Sequence, residues 1–237
     1  MHQTRENEFI EIGTGEPIES ENLMEFRLLY GGQILGAGKS KTRADIKHAI
    51  RRELHPQLRR LWSTKSGLAS LACYRYFPQW YRKHQGEEDI AAFTDENRRK
   101  RGIEALADQW SRCGFRFVPL VTSEFALRCE VNILFLRPEE RHLIMQCGDL
   151  DARVKTIFDA LRIPDNLEEA GGIGPQEDEN PFFCLLSDDK LISSLSVTTD
   201  ELLALPKERD VKANDAFIVM HVKVNHQHPG TFDQWFA

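Results

Sequence analysis

The tetrapeptide Gly148-Asp149-Leu150-Asp151 sets two carboxylates two residues apart. In an extended chain, residues i and i+2 point to the same side. Two carboxylates so placed repel each other unless a cation lies between them. Hard oxygen ligands of this kind suit magnesium or manganese. Lys155 follows four residues after Asp151, one helical turn on, which returns its ammonium toward the same place. A second pair, Asp188-Asp189, stands just before a strand-like run and can supply a further carboxylate. The candidate metal ligands are therefore Asp149, Asp151, Asp188 and Asp189. Both pairs also have a plainer use: Asp-x-Asp before a helix caps its N-terminus, and Asp-Asp before a strand makes a turn.

A second stretch, Gly31 to Ser40, resembles a phosphate-binding loop without meeting its spacing. The motif needs Gly, four residues, then Gly-Lys-Ser/Thr. Gly38-Lys39-Ser40 supplies the end, but Gln33 stands at the first position and Gly32 is one residue too far back. An extra residue changes the curl that turns the loop amides toward a phosphate. A flexible basic turn is the better reading, and no nucleotide cofactor is expected.

Positive charge is concentrated in two places. Residues 39–60 hold Lys39, Lys41, Arg43, Lys47, Arg51, Arg52, Arg59 and Arg60 against only Asp45 and Glu53. Residues 98–101 are Arg98-Arg99-Lys100-Arg101. Clusters of this kind neutralise phosphates. Lys39, Lys41, Arg51, Arg52, Arg59, Arg60 and the 98–101 run are the candidate DNA contacts; a solvated helix face is the other reading of either cluster. The aromatic residues of 74–81 read as core side chains rather than as a platform for unpaired bases.

Residues 148–161, GDLDARVKTIFDAL, followed by Asp188-Asp189 and a strand, resemble the RusA family of Holliday junction resolvases. The family pattern of Asp-x-Asp, a Lys four residues on, Asp-Ala-Leu near the helix end and a later Asp-Asp pair is met by Asp149, Asp151, Lys155, Asp159-Ala160-Leu161 and Asp188-Asp189. The likeness covers roughly 125–200 and leaves 40–115 unaccounted for. Ala152 stands where the family has Asn, and the segment from Leu161 to Asp188 is longer than usual. The resemblance implies a RusA-like α/β fold and a homodimer. It also implies magnesium-dependent (or manganese-dependent) hydrolysis of phosphodiesters in branched DNA, during recombination or repair. Asp149, Asp151 and Asp189 would then hold the ion, which polarises a phosphoryl oxygen and acidifies a bound water. Lys155 would neutralise charge on the phosphate or the transition state. Two other readings stay open: a non-catalytic DNA-binding module that keeps the fold, and an unrelated α/β protein whose acids are structural caps.

The elements that must position these residues follow from periodicity. Residues 24–35 read as a strand interrupted at Gly31-Gly32. Thr42 predicts the N-cap of a helix over about 43–62, with Ile46, Ile50, Leu54, Leu58 and Leu61 on one face and Pro56 expected to kink or split it. Residues 64–93 read as irregular. Thr94 or Asp95 starts a helix with Ile103, Leu106, Ala107 and Trp110 buried, and Gly114 is a natural stop for it. Strands are predicted at 115–120, 125–136, 191–198 and 215–224; in the second, Leu127, Cys129, Val131, Ile133 and Phe135 alternate with polar residues. Val154, Ile157, Phe158 and Leu161 form the stripe of a helix that begins after Asp149 and ends before Pro164. Between it and the Asp pair, residues 165–180 carry six carboxylates and no Lys or Arg. That composition predicts an exposed, poorly packed acidic insertion.

The expected architecture is one α/β domain over 23–237, a mixed sheet with packed helices, preceded by a loose polar arm over 1–22. The chain has 237 residues and a formal net charge of -6, so any nucleic-acid surface is a local patch on an acidic protein. No apolar run reaches the roughly 18 residues of a membrane span, and the first residues lack the apolar core of a secretory signal. Five cysteines, at 73, 113, 129, 147 and 184, show no Cys-x-x-Cys spacing. They predict free, inert thiols in a reducing cytoplasm. His226 and His228 read as part of a mobile tail rather than as ligands.

Overall fold

The computed structural model describes residues 23–36, 40–83, 94–137, 150–203 and 215–227. The architecture is mixed α/β. Strands β1 (Met24–Gln33), β4 (Leu127–Arg137), β6 (Ile192–Glu201) and β7 (Asp215–His226) form one sheet in the order β1-β7-β4-β6. β1 and β4 run antiparallel to β7, while β6 runs parallel to β4. A smaller sheet joins β2 (Ser111–Arg112), β3 (Phe115–Val121) and β5 (Phe182–Leu186) in that order, with β3 and β5 parallel. The described helices are α1 (Lys41–Thr64), α2 (Ser66–Lys83), α3 (Asp95–Gln109) and α4 (Leu150–Leu161). None of them is long and apolar enough to cross a membrane.

The strict alternation read in β4 is the observed burial: Leu127, Cys129, Val131, Ile133 and Phe135 are buried, and the residues between them are half-exposed. Its buried face, with Ile218, Met220, Val222 and Val224 of β7, meets Ile50, Leu54, Leu58 and Trp62 of α1 in the main core. A second core gathers Phe115, Phe117, Phe182 and Cys184 of the small sheet under Ile163 and Ala170.

Several expectations are corrected. α1 starts one residue earlier than its predicted cap, with Ser40 at the N-cap, and runs through Pro56 unbroken. Proline costs a helix bond and a steric clash, about 3 kcal/mol, and the burial of Leu54, His55, Leu58 and Trp62 to either side offsets it. β1 is continuous through Gly31 and Gly32, which pair with Phe217 and Ala216. Residues 66–83, read as irregular, form α2. Its buried residues are Leu68, Ala69, Leu71, Ala72 and Tyr76, and the two alanines are too small to mark an apolar period against the surrounding aromatics. α3 begins as expected, with Thr94 accepting from the Asn97 amide at 3.3 Å. It stops at Trp110, and Gly114 instead turns the β2–β3 hairpin, where Cys113 and Gly114 both have positive φ. β5 is a strand without a predicted counterpart. β7 extends to His226, which is therefore part of the sheet and not of a tail. Residues 1–22 and His228 lie outside the described residues. Cys129 and Cys184 are buried and Cys73 and Cys113 half-buried, all as free thiols; Cys147 lies outside the described residues.

The largest correction concerns the acidic segment. Most of it is exposed, as expected, but it is anchored to the body at Ala170 and Glu179, and three of its six carboxylates meet cations from outside the segment. Glu179 is buried and accepts from Arg52 Nε at 2.6 Å. Glu169 is paired with Arg162 at 3.3 Å, and Asp165 with Arg162 at 2.9 Å. Ala170 is buried over the phenylalanine cluster, and Gly171, at φ +81°, lies so close to His48 that a Cβ there would meet the ring at 2.9 Å. Counting charge only within the segment missed these partners.

Candidate functional site

The acidic motif falls on two adjoining elements. Asp151 lies in the first turn of α4 and Lys155 one turn on, both on its exposed face. Asp188 and Asp189 stand exposed where β5 ends, and a short 3-10 turn over Asp189–Leu191 leads into β6. That turn packs against α4 and against β4. The end of α4 is tied to the same place: Arg162 forms a bridge with Leu186, and the Ile163 amide donates to the Leu186 carbonyl at 3.1 Å. α4 is held to the body by its buried face, Val154, Ile157, Ala160 and Leu161, and by the Thr156 hydroxyl, which donates to the Leu35 carbonyl at 2.8 Å.

Asp188 and Asp189 line a surface cleft of about 480 Å³ together with Trp110, Arg112, Ser123, Arg162, Asp165, Ser187 and Lys190. Asp151 and Lys155 are not among its walls. The Lys190 amide donates to Asp188 Oδ1 at 2.9 Å. That hydrogen bond, with the neighbouring Asp189, Lys190 and Arg162, holds the Asp188 carboxyl below its ordinary range despite partial desolvation. Burial works against the charge on Arg162, but Glu169, Asp165 and Asp159 outweigh it and hold the guanidinium above its ordinary value. Arg112 reaches Asp165 at 3.5 Å. Arg112, Arg162 and Lys190 were not foreseen as site residues. Arg162 directly follows the Asp-Ala-Leu run at the helix end, which is the one sequence signal that could have marked it.

The donor set suits a hard divalent ion in part. Asp151 and Asp189 are exposed carboxylates on packed elements, whereas one Asp188 oxygen already serves as the cap of the 189–191 turn. Among the described residues there is no group of three or more His, Cys, Asp or Glu side chains arranged to hold an ion. Asp149, the remaining member of the set, lies outside them.

The basic clusters divide sharply. Arg51 is 2 % exposed. Its Nε donates to the Arg162 carbonyl at 3.2 Å, its Nη1 to the Glu169 carbonyl at 2.6 Å and its Nη2 to the Asp159 carbonyl at 2.5 Å. Burial lowers its pKa to about 10, which still leaves it charged at neutral pH, with Glu169 countering the loss. It is a structural residue and not a phosphate contact, correcting that expectation. The physical reason is that the buried charge is already fully answered by three carbonyls. Lys47 is likewise buried, 2.6 Å from Asp159. Arg52 is 44 % exposed but engaged by Glu179 and Gln176. Lys41, Arg59 and Arg60 are exposed on α1, and Arg98, Arg99 and Lys100 on α3. Arg101 is half-buried and bonded to Glu104 at 3.0 Å. Lys39 lies outside the described residues. Of the aromatic run, Tyr76 is buried and Tyr74 exposed.

Comparison with protein-family models, with curated proteins and with solved structures found no match to this chain.

Proposed function

We propose that this protein is a metal-dependent endonuclease of RusA-like type that hydrolyses phosphodiesters in branched DNA and works as a homodimer. The observation that supports it best is the packing of α4, which carries Asp151 and Lys155, against the turn that carries Asp189. Two segments far apart in the chain, each carrying acidic residues, thus pack against one another. In this reading Asp149, Asp151 and Asp189 hold a magnesium or manganese ion, which supplies Lewis-acid polarisation of a phosphoryl oxygen. Lys155, one turn from Asp151, faces the phosphate and offsets its charge. Asp188 fixes the turn through its bond to the Lys190 amide, which positions Asp189. The exposed cations of α1 and α3 supply the phosphate contacts that hold the arms of the junction.

The test is a gel assay on a synthetic four-way junction, with magnesium, with manganese and with chelator. Cleavage is expected only with metal. Asp149→Asn and Asp189→Asn should each slow it at least a hundredfold, on the order of removing one key electrostatic group. Junction binding should be kept or tightened, since a negative charge facing phosphates is removed. A wild-type protein that binds the junction but never cuts it would favour the non-catalytic binding module. A protein that does neither would favour acids that act only as caps, the role Asp188 already has.

A further inference from the structure

The two edges of the large sheet are treated differently. Along β1, side chains of α1 meet the outward backbone groups. The Leu29 amide donates to Gln57 Oε1 at 2.9 Å, Gln57 Nε2 donates to the Leu29 carbonyl at 2.7 Å, and the Gly31 amide donates to Glu53 Oε1 at 3.1 Å. β6, at the opposite edge, pairs only on its inner side, with β4; among the described residues no strand pairs with its outer side. An irregularity opposite Cys129 and Glu130 disturbs its first residues, and from Ser194 to Glu201 the pairing is regular. Natural edge strands are blunted by Lys, Pro or shortness because their free amides and carbonyls recruit other strands. The run Ser193–Thr199, SSLSVTT, contains no charge and no proline. Ser194, Leu195, Ser196 and Thr198 are exposed, Leu195 to 43 %.

We propose that β6 is a self-association edge: it pairs antiparallel with β6 of a second copy about a two-fold axis, joining two four-stranded sheets into one of eight strands. A closed two-fold pairing sets like residues across the axis, so its register is limited to a few choices. Centring on Val197 overlaps the whole regular stretch. It sets Leu195 opposite Thr199 of the second copy, Ser196 opposite Thr198, and Ser194 opposite Asp200. Each Asp200 then faces a hydroxyl. Centring one residue further on would set Leu195 opposite Glu201, an apolar side chain against a carboxylate. Centring on Ser194 would pair only Ile192 to Ser196, because the 189–191 turn precedes the strand. On the Val197 register, Leu195, Val197 and Thr199 share one face with their copies. Val197 already packs against the core, so the apolar layer continues across the axis. This pairing does not depend on the nuclease reading and stands whether or not the chain cuts DNA.

The full chain should elute with twice the 27.3 kDa mass of the monomer in light scattering. Val197→Cys should form a disulfide-linked dimer under mild oxidation, because directly opposed residues lie about 4.5–5.5 Å apart at Cα, within disulfide reach. The unsubstituted protein, with its five cysteines, sets the background. Thr199→Cys alone should stay at that background, and Leu195→Cys combined with Thr199→Cys should rise well above it. Leu195→Lys, at an exposed position, should halve the measured mass with an unchanged circular dichroism spectrum. A monomeric wild-type chain overturns the proposal. So does a dimer that survives Leu195→Lys, or cross-linking by Thr199→Cys alone as efficient as by Val197→Cys.

Discussion

Replacing Arg51 by Met separates a structural guanidinium from a DNA contact. Met keeps most of the volume, so the loss is electrostatic rather than a cavity. Three carbonyls, those of Asp159, Arg162 and Glu169, lose their donor at once. A hydrogen bond to a charged group is worth about 1.5–3 kcal/mol, and an orphaned buried acceptor costs about 1–3 kcal/mol. These terms do not add, and removing the burial cost of the charge offsets part of them. A net destabilisation of about 3–5 kcal/mol is the expected result, a large share of a typical 5–15 kcal/mol total. With a urea slope near 3 kcal/mol/M, the midpoint should fall by about 1–2 M. Urea unfolding followed by tryptophan fluorescence measures it, since Trp62 is buried beside this helix face. A midpoint within about 0.3 M of wild type, together with weaker DNA binding and a shallower salt dependence, would refute the structural role and restore Arg51 as a phosphate contact.

The other predictions concern pH, packing and the acidic segment. His55 is buried, its Nδ1 accepting from the Phe183 amide at 2.8 Å and its Nε2 lying 3.1 Å from the Asp178 carbonyl, which is the neutral Nε2–H tautomer. Burial lowers the pKa of His55, and likewise that of His48, below 6.5. Stability from both is therefore present above pH 6.5 and should be lost as pH falls below it, because the unfolded imidazoles take up protons first. His55→Asn, which keeps an acceptor for the Phe183 amide without titrating, should flatten the slope of the thermal midpoint between pH 7 and 5; an unchanged slope would count against it. Gly102 sits in α3 where a Cβ would meet the Cys73 backbone at 2.5 Å. Gly102→Ala should cost about 1–3 kcal/mol by forcing α2 and α3 apart, outweighing the gain of about 1 kcal/mol in helix propensity; a raised melting temperature would contradict that crossing. Replacing residues 165–180 by a short Gly-Ser turn should lower the melting temperature by more than about 5 °C, since Arg51, Arg52 and His55 all lose partners; unaltered melting would show the segment to be dispensable.

Much of this fold is visible in one dimension because its signals are local. The alternation of β4, the stripe of α4 and the Thr94 cap each depend on residues within one element, where period and capping chemistry act. The same holds for the acidic motif, whose Asp149, Asp151 and Lys155 are spaced within a few residues. What the chain could not show alone is how charges are matched over distance. Arg51 and Arg52 look like a phosphate-binding pair by composition. Only the fold brings the carbonyls of 159, 162 and 169 to the one and Glu179 to the other. α2 was hidden because two of its buried positions are Ala69 and Ala72, which bury little surface by themselves, and Ala72 gains its contact only because Gly102 lets another helix approach. The acidic segment looks self-repelling in sequence, yet Glu179 meets Arg52, and Asp165 and Glu169 meet Arg162, because Coulomb energy depends on distance through space and not along the chain.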